Sequence, residues 1–171
     1  RIRKRTSGEK NKLEYNKKKP DLFYTIDGLT KAEYIVLSQI ALSRKALGIF
    51  QKQLGCLLDE NDQKLAMLII DDYRKYDTCS LSRIYDECDD SIKDLISNLA
   101  LVESLPDQFD ENSLMGAIDK VKLEIKRRKM KDLKEKISKV SDVDPEKTAE
   151  YLREYEQLIR QLGGNNGEEK K

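Results

Sequence analysis

The chain of 171 residues contains no histidine. Histidine is the commonest general base of enzymes and a frequent zinc ligand, so its absence argues against most hydrolytic and zinc-dependent sites. Cysteine is scarce too, and Cys56, Cys79 and Cys88 show no C-x-x-C spacing of the kind that binds a metal. We interpret the three as core or incidental thiols of a reduced protein, and we predict no metal and no cofactor.

Phosphate-binding loops and membrane-spanning segments are also missing from the sequence. The chain has eight glycines, but the glycine-rich run at residues 163–167 follows the last predicted helix instead of preceding one. Apolar runs such as residues 66–70 fall far short of the ~20 residues that span a bilayer. The adjacent carboxylates at residues 71–72 and 89–90 point about 100° apart on a helix and do not converge on one ion unaided. We therefore expect a soluble, cytoplasmic protein without catalytic residues.

Charge is abundant but nearly balanced, since 38% of the residues are charged and the formal net charge is +1. The positive charges concentrate at the start, where residues 1–28 hold nine Lys or Arg against four Asp or Glu. We predict a basic flexible linker there, joined to a longer protein because the chain starts with Arg, and a disordered tail at residues 163–171. Nucleic acid would bind only weakly, through this basic leader. Four apolar residues just before Gly28 are candidates to pack onto the folded part: Leu22, Phe23, Tyr24 and Ile26.

Helix-start signals recur along the rest of the chain, and no strand signal competes with them. Thr30 and Glu33 have the spacing of a capping box, in which both side chains satisfy free backbone N–H groups. Gly55 can close the second helix, and Asp72 is expected outside the apolar stripe of the third. Further starts are predicted at Ser43, Asp59 or Asn61, Ser80, Asp89 or Asp90, Asp110, and Asp144 followed by Pro145. The pattern predicts an all-α fold.

The longest helical pattern runs from Leu114 to Val140, and its apolar stripe changes face between Ile125 and Met130. The five-residue step between these two residues turns the stripe by roughly 140°, and residues 126–129 within it are all Lys or Arg. One long helix is therefore predicted to serve two separate packing partners.

Those partners define the predicted architecture, a multi-helix bundle at residues 29–125 joined by the long helix to a C-terminal helical hairpin at residues 126–162. We interpret the cationic stretch between them as a solvated helix face. The alternative is a cationic edge that meets an acidic partner or a nucleic-acid strand.

The last helix carries apolar residues along more than one line. The line predicted to pack against Met130, Leu133, Ile137 and Val140 consists of Leu152, Tyr155, Ile159 and Leu162. Tyr151 and Leu158 lie to one side of it, and a two-helix hairpin has no further layer to cover them. We expect them to stay partly exposed, as interface anchors often are.

The order of these segments resembles the C-terminal domain of bacterial DnaG-type primase. The resemblance covers roughly residues 30–162 and rests on the helix pattern together with short matches such as Ala32-Glu33 and the stretch from Asp59 to Leu65. It implies a domain without primer-synthesising activity of its own, carried by a parent DNA-dependent RNA polymerase. Such a domain docks onto the N-terminal domains of the hexameric, DnaB-type replicative helicase and modulates its activity during DNA replication, as part of the primosome.

Within this interpretation, we expect six residues of the last helix to bind the helicase, with apolar anchors in a groove and arginines giving orientation: Tyr151, Arg153, Tyr155, Leu158, Arg160 and Leu162. Three other classes stay open. They are the N-terminal domain of the helicase itself, which has a similar fold, a nucleic-acid-binding helical module that uses the basic leader, and a helical enzyme without histidine.

Overall fold

The computed structural model describes residues 27–102, 105–141 and 143–163, and over these ranges it consists of helices without any strand. The all-α prediction is confirmed. The basic leader with its apolar cluster and the predicted tail from residue 164 onward lie outside the described residues. Seven helices make up the described part of the chain: α1 Gly28–Leu42, α2 Arg44–Gln53, α3 Glu60–Tyr76, α4 Leu81–Glu87, α5 Asp90–Leu101, α6 Glu111–Val140 and α7 Pro145–Gly163.

The helix ends follow local capping chemistry. The predicted N-caps are confirmed for α2 to α6, where the following side chains each accept hydrogen bonds from free backbone N–H groups: Ser43, Asp59, Ser80, Asp89 and Asp110. Gly55 follows α2 with φ of 76°, the left-handed conformation predicted for it. Local sequence therefore sets most of the helix boundaries.

The predicted capping box at the start of α1 is wrong. Asp27 is the N-cap instead, and its Oδ1 accepts hydrogen bonds from the backbone N–H groups of Leu29 (2.8 Å) and Thr30 (3.0 Å). The Thr30 hydroxyl donates to Asp27 Oδ2 (2.9 Å) rather than capping the helix itself. These hydrogen bonds lower the pKa of Asp27. An aspartate carboxylate outcompetes the threonine hydroxyl because its charge also interacts favourably with the helix N-terminus.

The main core is built from α1 to α5 and the first half of α6. α1 packs against α6, α2 and α3, while α3 also contacts α4 and α5. The side chains removed from solvent include Leu37, Ile40, Phe50, Leu65, Ile69, Ile92, Leu114 and Ile118. α6 contributes to this core as far as Ile125, whereas Leu133 is buried outside it. The boundary between residues 125 and 126 stays a prediction, but α6 itself is one unbroken helix across it.

Glu33, expected to cap α1, is instead buried in the core and fastens the α2–α3 loop. Its Oε1 accepts hydrogen bonds from the backbone N–H groups of Leu58 and Asp59. Asp62 is buried beside it. Burial, together with the negative charges of Glu33 and Asp59, raises the pKa of Asp62 to about 8. Asp62 is therefore protonated at neutral pH and shares a hydrogen bond with Glu33.

Asp72 is buried as well, which contradicts its expected place outside the stripe of α3. It accepts hydrogen bonds from the backbone N–H of Ser80 (2.7 Å) and from Arg83 Nη2 (2.8 Å) and Nε (3.1 Å). Burial alone would raise the pKa of Asp72, but these hydrogen bonds and the charge of Arg83 lower it overall. The Arg83 guanidinium also lies over the ring of Tyr76, at 4.4 Å from its centroid. This network attaches α4 to α3.

Candidate functional site

The turn between α6 and α7 places the last helix alongside the second half of α6. The backbone N–H groups of Val143 and Asp144 both donate to the carbonyl of Val140, at 3.0 Å and 2.9 Å. Asp144 Oδ1 accepts a hydrogen bond from the backbone N–H of Lys147 (3.1 Å), and α7 begins at Pro145. The predicted start of the last helix is confirmed. Hydrogen bonding to Lys147 lowers the pKa of Asp144.

The contact between α6 and α7 is centred on two leucines. Leu133 of α6 is 2% exposed and Leu158 of α7 is 8% exposed. Tyr151, Tyr155 and Leu162 are half-buried on the same side of α7 as Leu158, in steps of four, three and four residues. α7 packs closely against α6 alone among the described helices.

The predicted contact line of α7 is therefore wrong at two positions, and so is the predicted exposure of Leu158. Leu152 and Ile159 were expected to be buried, but they are 43% and 46% exposed. The two candidate lines share Tyr155 and Leu162 and differ by about 100° at their other members. Both satisfy the helical period, and a contact between two helices is wide enough to bury only one of them fully.

Three lysines of α6 cover the edges of this contact. Lys129 Nζ forms an ion pair with Glu154 of α7 at 2.6 Å. Lys134 and Lys136 lie over the rings of Tyr155 and Tyr151, with Nζ at 5.5 Å and 5.7 Å from the ring centroids. One face of each tyrosine ring is thus covered by a lysine of the same chain. The two rings belong to the α6–α7 contact more than to a free surface.

The flank of α7 beside its contact with α6 presents apolar groups to solvent. Leu152 and Ile159 lie seven residues apart, which is two helical turns, so they occupy the same side of the helix. Glu156 lies between them, and Arg153 and Arg160 follow them at the edge. We call these five residues the outer face of α7. Val143, in the turn before the helix, is 82% exposed and adds a third apolar group near its start.

The two arginines of the outer face are both exposed, as their proposed orienting role requires. Arg160 Nη2 is 4.0 Å from Glu156 Oε2, a long and solvent-exposed ion pair of little energetic weight. Arg153 has no ion-pair partner within the described part of the chain. Both guanidinium groups are therefore available to acidic groups of a partner.

Three of the four cations in residues 126–129 of α6 approach carboxylates of the chain. Arg127 Nη1 and Arg128 Nε approach the carboxylate of Glu124 at 3.8 Å and 3.5 Å, and Lys129 pairs with α7 as described above. These contacts favour the interpretation of residues 126–129 as a solvated, self-paired helix face over that of a nucleic-acid edge.

The described residues contain no cluster of three or more acidic, cysteine or histidine side chains that could hold a metal ion. Cys56, Cys79 and Cys88 are free thiols. Burial, followed by the negative charge of Asp72, raises the pKa of Cys79 to about 11, and burial raises the pKa of Cys88. None of the helices in the described ranges is long and apolar enough to cross a membrane.

No protein-family model matches this chain, and no curated protein matches it significantly. The candidate site therefore rests on the residues themselves. Sequence reasoning identified α7 and its two arginines, but it missed Leu152 and Ile159 as surface residues. One feature of the sequence indicates their exposure. Glu156 and both arginines lie next to Leu152 and Ile159 on the helix surface, whereas Tyr151 and Leu158 face the apolar line of α6.

Proposed function

We propose that this chain is the helicase-binding module of a replicative primase and that it docks onto the N-terminal domains of the hexameric replicative helicase through the outer face of α7. The observation that carries the docking site is the pair Leu152 and Ile159, which are large, apolar, exposed and two turns apart on a helix supported from one side only. The partner is inferred from the resemblance of residues 30–162 to the primase C-terminal domain.

The geometry of the outer face suggests how docking works. Leu152 and Ile159 would enter an apolar groove of the helicase as a helix does at spacing i and i+7. Arg153 and Arg160 would fix the orientation by pairing with acidic groups at the rim of that groove. Tyr151, Tyr155 and Leu162 would lie at the edge of the contact with the helicase. Leu158 would hold α7 in place by packing against α6.

The long helix offers a route from docking to helicase modulation. α6 has 30 residues and is about 45 Å long, and it carries core residues of the bundle near its start and the contact with α7 near its end. A partner held at α7 would therefore be held at a defined distance from the bundle. This arrangement suits a module that binds the helicase with one part and modulates the activity of the helicase with another.

Titration calorimetry of the chain into the N-terminal domain of the replicative helicase from the same source tests the proposal. We expect saturable binding by the natural sequence, and binding about 30-fold weaker for the double variant Leu152→Asp with Ile159→Asp, because interface anchors typically contribute about 2 kcal/mol or more. Helix content measured by circular dichroism should be unchanged, since both side chains are exposed.

Met67→Asp is the matched control, because Met67 is an exposed apolar residue of α3. It should bind the helicase domain like the natural sequence. Absence of saturable binding by the natural sequence would refute the primase assignment. Equal affinity of the double variant would instead refute the outer face as the docking site.

A further inference from the structure

A large apolar cleft lies between the ends of α1 and α5, with α4 beside them. It has a volume of about 890 Å³, and the described residues that line it all precede α6. Ile96 and Leu99 of α5 are buried there, whereas Leu42 and Tyr85 are 49% and 40% exposed. A second, polar cavity of about 340 Å³ lies between α1 and α5 nearer the start of α1. The exposed apolar surface between these helices is therefore concentrated at the end of α1.

The charged groups at the apolar cleft are all acidic. Asp86 near the end of α4 and Asp107 between α5 and α6 line it, and its described lining includes no Lys or Arg. Both carboxylates are exposed, and neither forms an ion pair with the described part of the chain. The cleft therefore suits a partner that brings apolar side chains and cations together.

The outer face of α7 carries that combination. Leu152 and Ile159 are exposed and lie about 10 Å apart along the helix, at seven residues and 1.5 Å per residue. Arg153 and Arg160 repeat the same spacing one position further along. Helices enter apolar grooves through anchors spaced in this way. The outer face and the cleft are thus complementary in both apolar character and charge.

The two surfaces belong to one chain but do not meet within it. α7 packs closely against α6 alone among the described helices, and none of the described lining of the cleft comes from α7. Two copies of the chain can bring the surfaces together. Such a contact is heterologous, because each copy contributes a different surface and each pair still has one free cleft and one free outer face.

We propose that this chain associates head to tail with a second copy of itself, the outer face of α7 of one copy docking into the cleft between α1 and α5 of the next. The two arginines of the outer face then approach Asp86 and Asp107. A contact made by one helix face is small, so the association is weak and reversible. It covers the surface proposed to bind the helicase, so self-association and helicase binding exclude each other. The proposal does not rest on the helicase assignment, because both surfaces belong to this chain.

Sedimentation equilibrium of the intact chain and two double variants tests the contact. The outer-face variant is Leu152→Asp with Ile159→Asp, and the cleft variant is Leu42→Asp with Tyr85→Asp. Over about a hundredfold range of concentration, we expect the average mass of the natural sequence to rise above that of one chain. Self-association should be about 30-fold weaker in each variant, as is typical when interface anchors are removed. Circular dichroism should be the same for all, since the four side chains are exposed.

Mixing the two variants distinguishes a head-to-tail contact from other arrangements. The outer-face variant keeps an intact cleft and the cleft variant keeps an intact outer face, so the mixture should associate with the affinity of the natural sequence. Its mass should stop at that of two chains, because the two surfaces left free in each pair are both altered.

Met67→Asp with Leu123→Asp is the matched control, because both residues are exposed, apolar and outside the two surfaces. This control should associate like the natural sequence, and an equal loss there would overturn the proposal as an effect of added charge alone. A natural sequence that stays monomeric over the whole range would overturn it as well. So would a mixture of the two variants that stays monomeric, because the association would then use another contact. Helicase binding is measured separately by calorimetry, so either proposal can fail without the other.

Discussion

Replacing Asp62 with Asn is expected to raise the free energy of unfolding by about 2 kcal/mol at pH 8. Asp62 is 3% exposed and lies against the carboxylate of Glu33. An asparagine in its place keeps a hydrogen-bond donor towards Glu33 and cannot ionise. The difference between the ordinary pKa of 3.8 and the folded-state pKa of about 8 sets a ceiling of about 5 kcal/mol, and we expect less because the amide fits imperfectly.

The gain should depend on pH in a defined direction. The folded-state pKa of Asp62 is about 8, well above the ordinary value of 3.8, so between these values the folded chain holds a proton that the unfolded chain has released. The stabilisation that Asp62 contributes is therefore complete below about pH 4 and is lost as the pH rises towards 8. The difference between the variant and the natural sequence should grow over the same range.

Urea unfolding at pH 5, 6, 7 and 8 measures this difference. Asp94→Asn is the matched control, because Asp94 lines the polar cavity beside Asp62 but is itself exposed. It should change stability by no more than about 0.5 kcal/mol. A gain for Asp62→Asn that is the same at pH 5 and pH 8 would show that the carboxyl of Asp62 titrates normally in the folded chain.

Truncating Leu158 to Ala is expected to remove about 3 kcal/mol from the contact between α6 and α7. Leu158 is the most buried residue of α7, and no other described helix packs closely against α7. The loss should therefore be local. Amide hydrogen exchange should accelerate throughout α7, while the amides of α1 and α3 keep their protection.

Ile159→Ala provides a stringent control, since it removes a similar side chain one residue further along the same helix. Ile159 is exposed, and its truncation should cost no more than about 0.5 kcal/mol. If Ile159→Ala accelerated exchange in α7 as much as Leu158→Ala, the contact line predicted from sequence would be the buried one. The comparison also separates an effect on the α6–α7 contact from an effect on partner binding. Leu158→Ala weakens the α6–α7 contact even when no partner is present.

Most of the helix boundaries could be read from the sequence because capping is local. Ser43, Ser80 and Asp110 bond backbone groups within three residues of themselves, so their role needs no knowledge of the rest of the fold. The wrong prediction of the α1 N-cap was also a local matter, because Asp27 and Thr30 compete for the same helix end. The course of α6 through its cationic stretch was predictable for the same reason, because Lys and Arg are good helix formers.

The candidate site was only partly predictable. The arginines of the outer face could be assigned to the surface because charged side chains are rarely buried without a partner. Which apolar residues join them could not be assigned, since Leu158 and Ile159 are adjacent and each continues a regular helical line. The choice depends on how far α7 is rotated about its own axis, and contacts with α6 on both of its edges set that rotation.

The sequence by itself determined the fold class and most of the helix ends, because hydrophobic periodicity and capping act over a few residues. Only the tertiary structure decided that Glu33, Asp62 and Asp72 are buried and that Leu152 and Ile159 are not. Acidic residues on a helix look solvent-exposed in a sequence, and their burial requires backbone or guanidinium partners from other elements. Those partners come within reach only when the helices pack together.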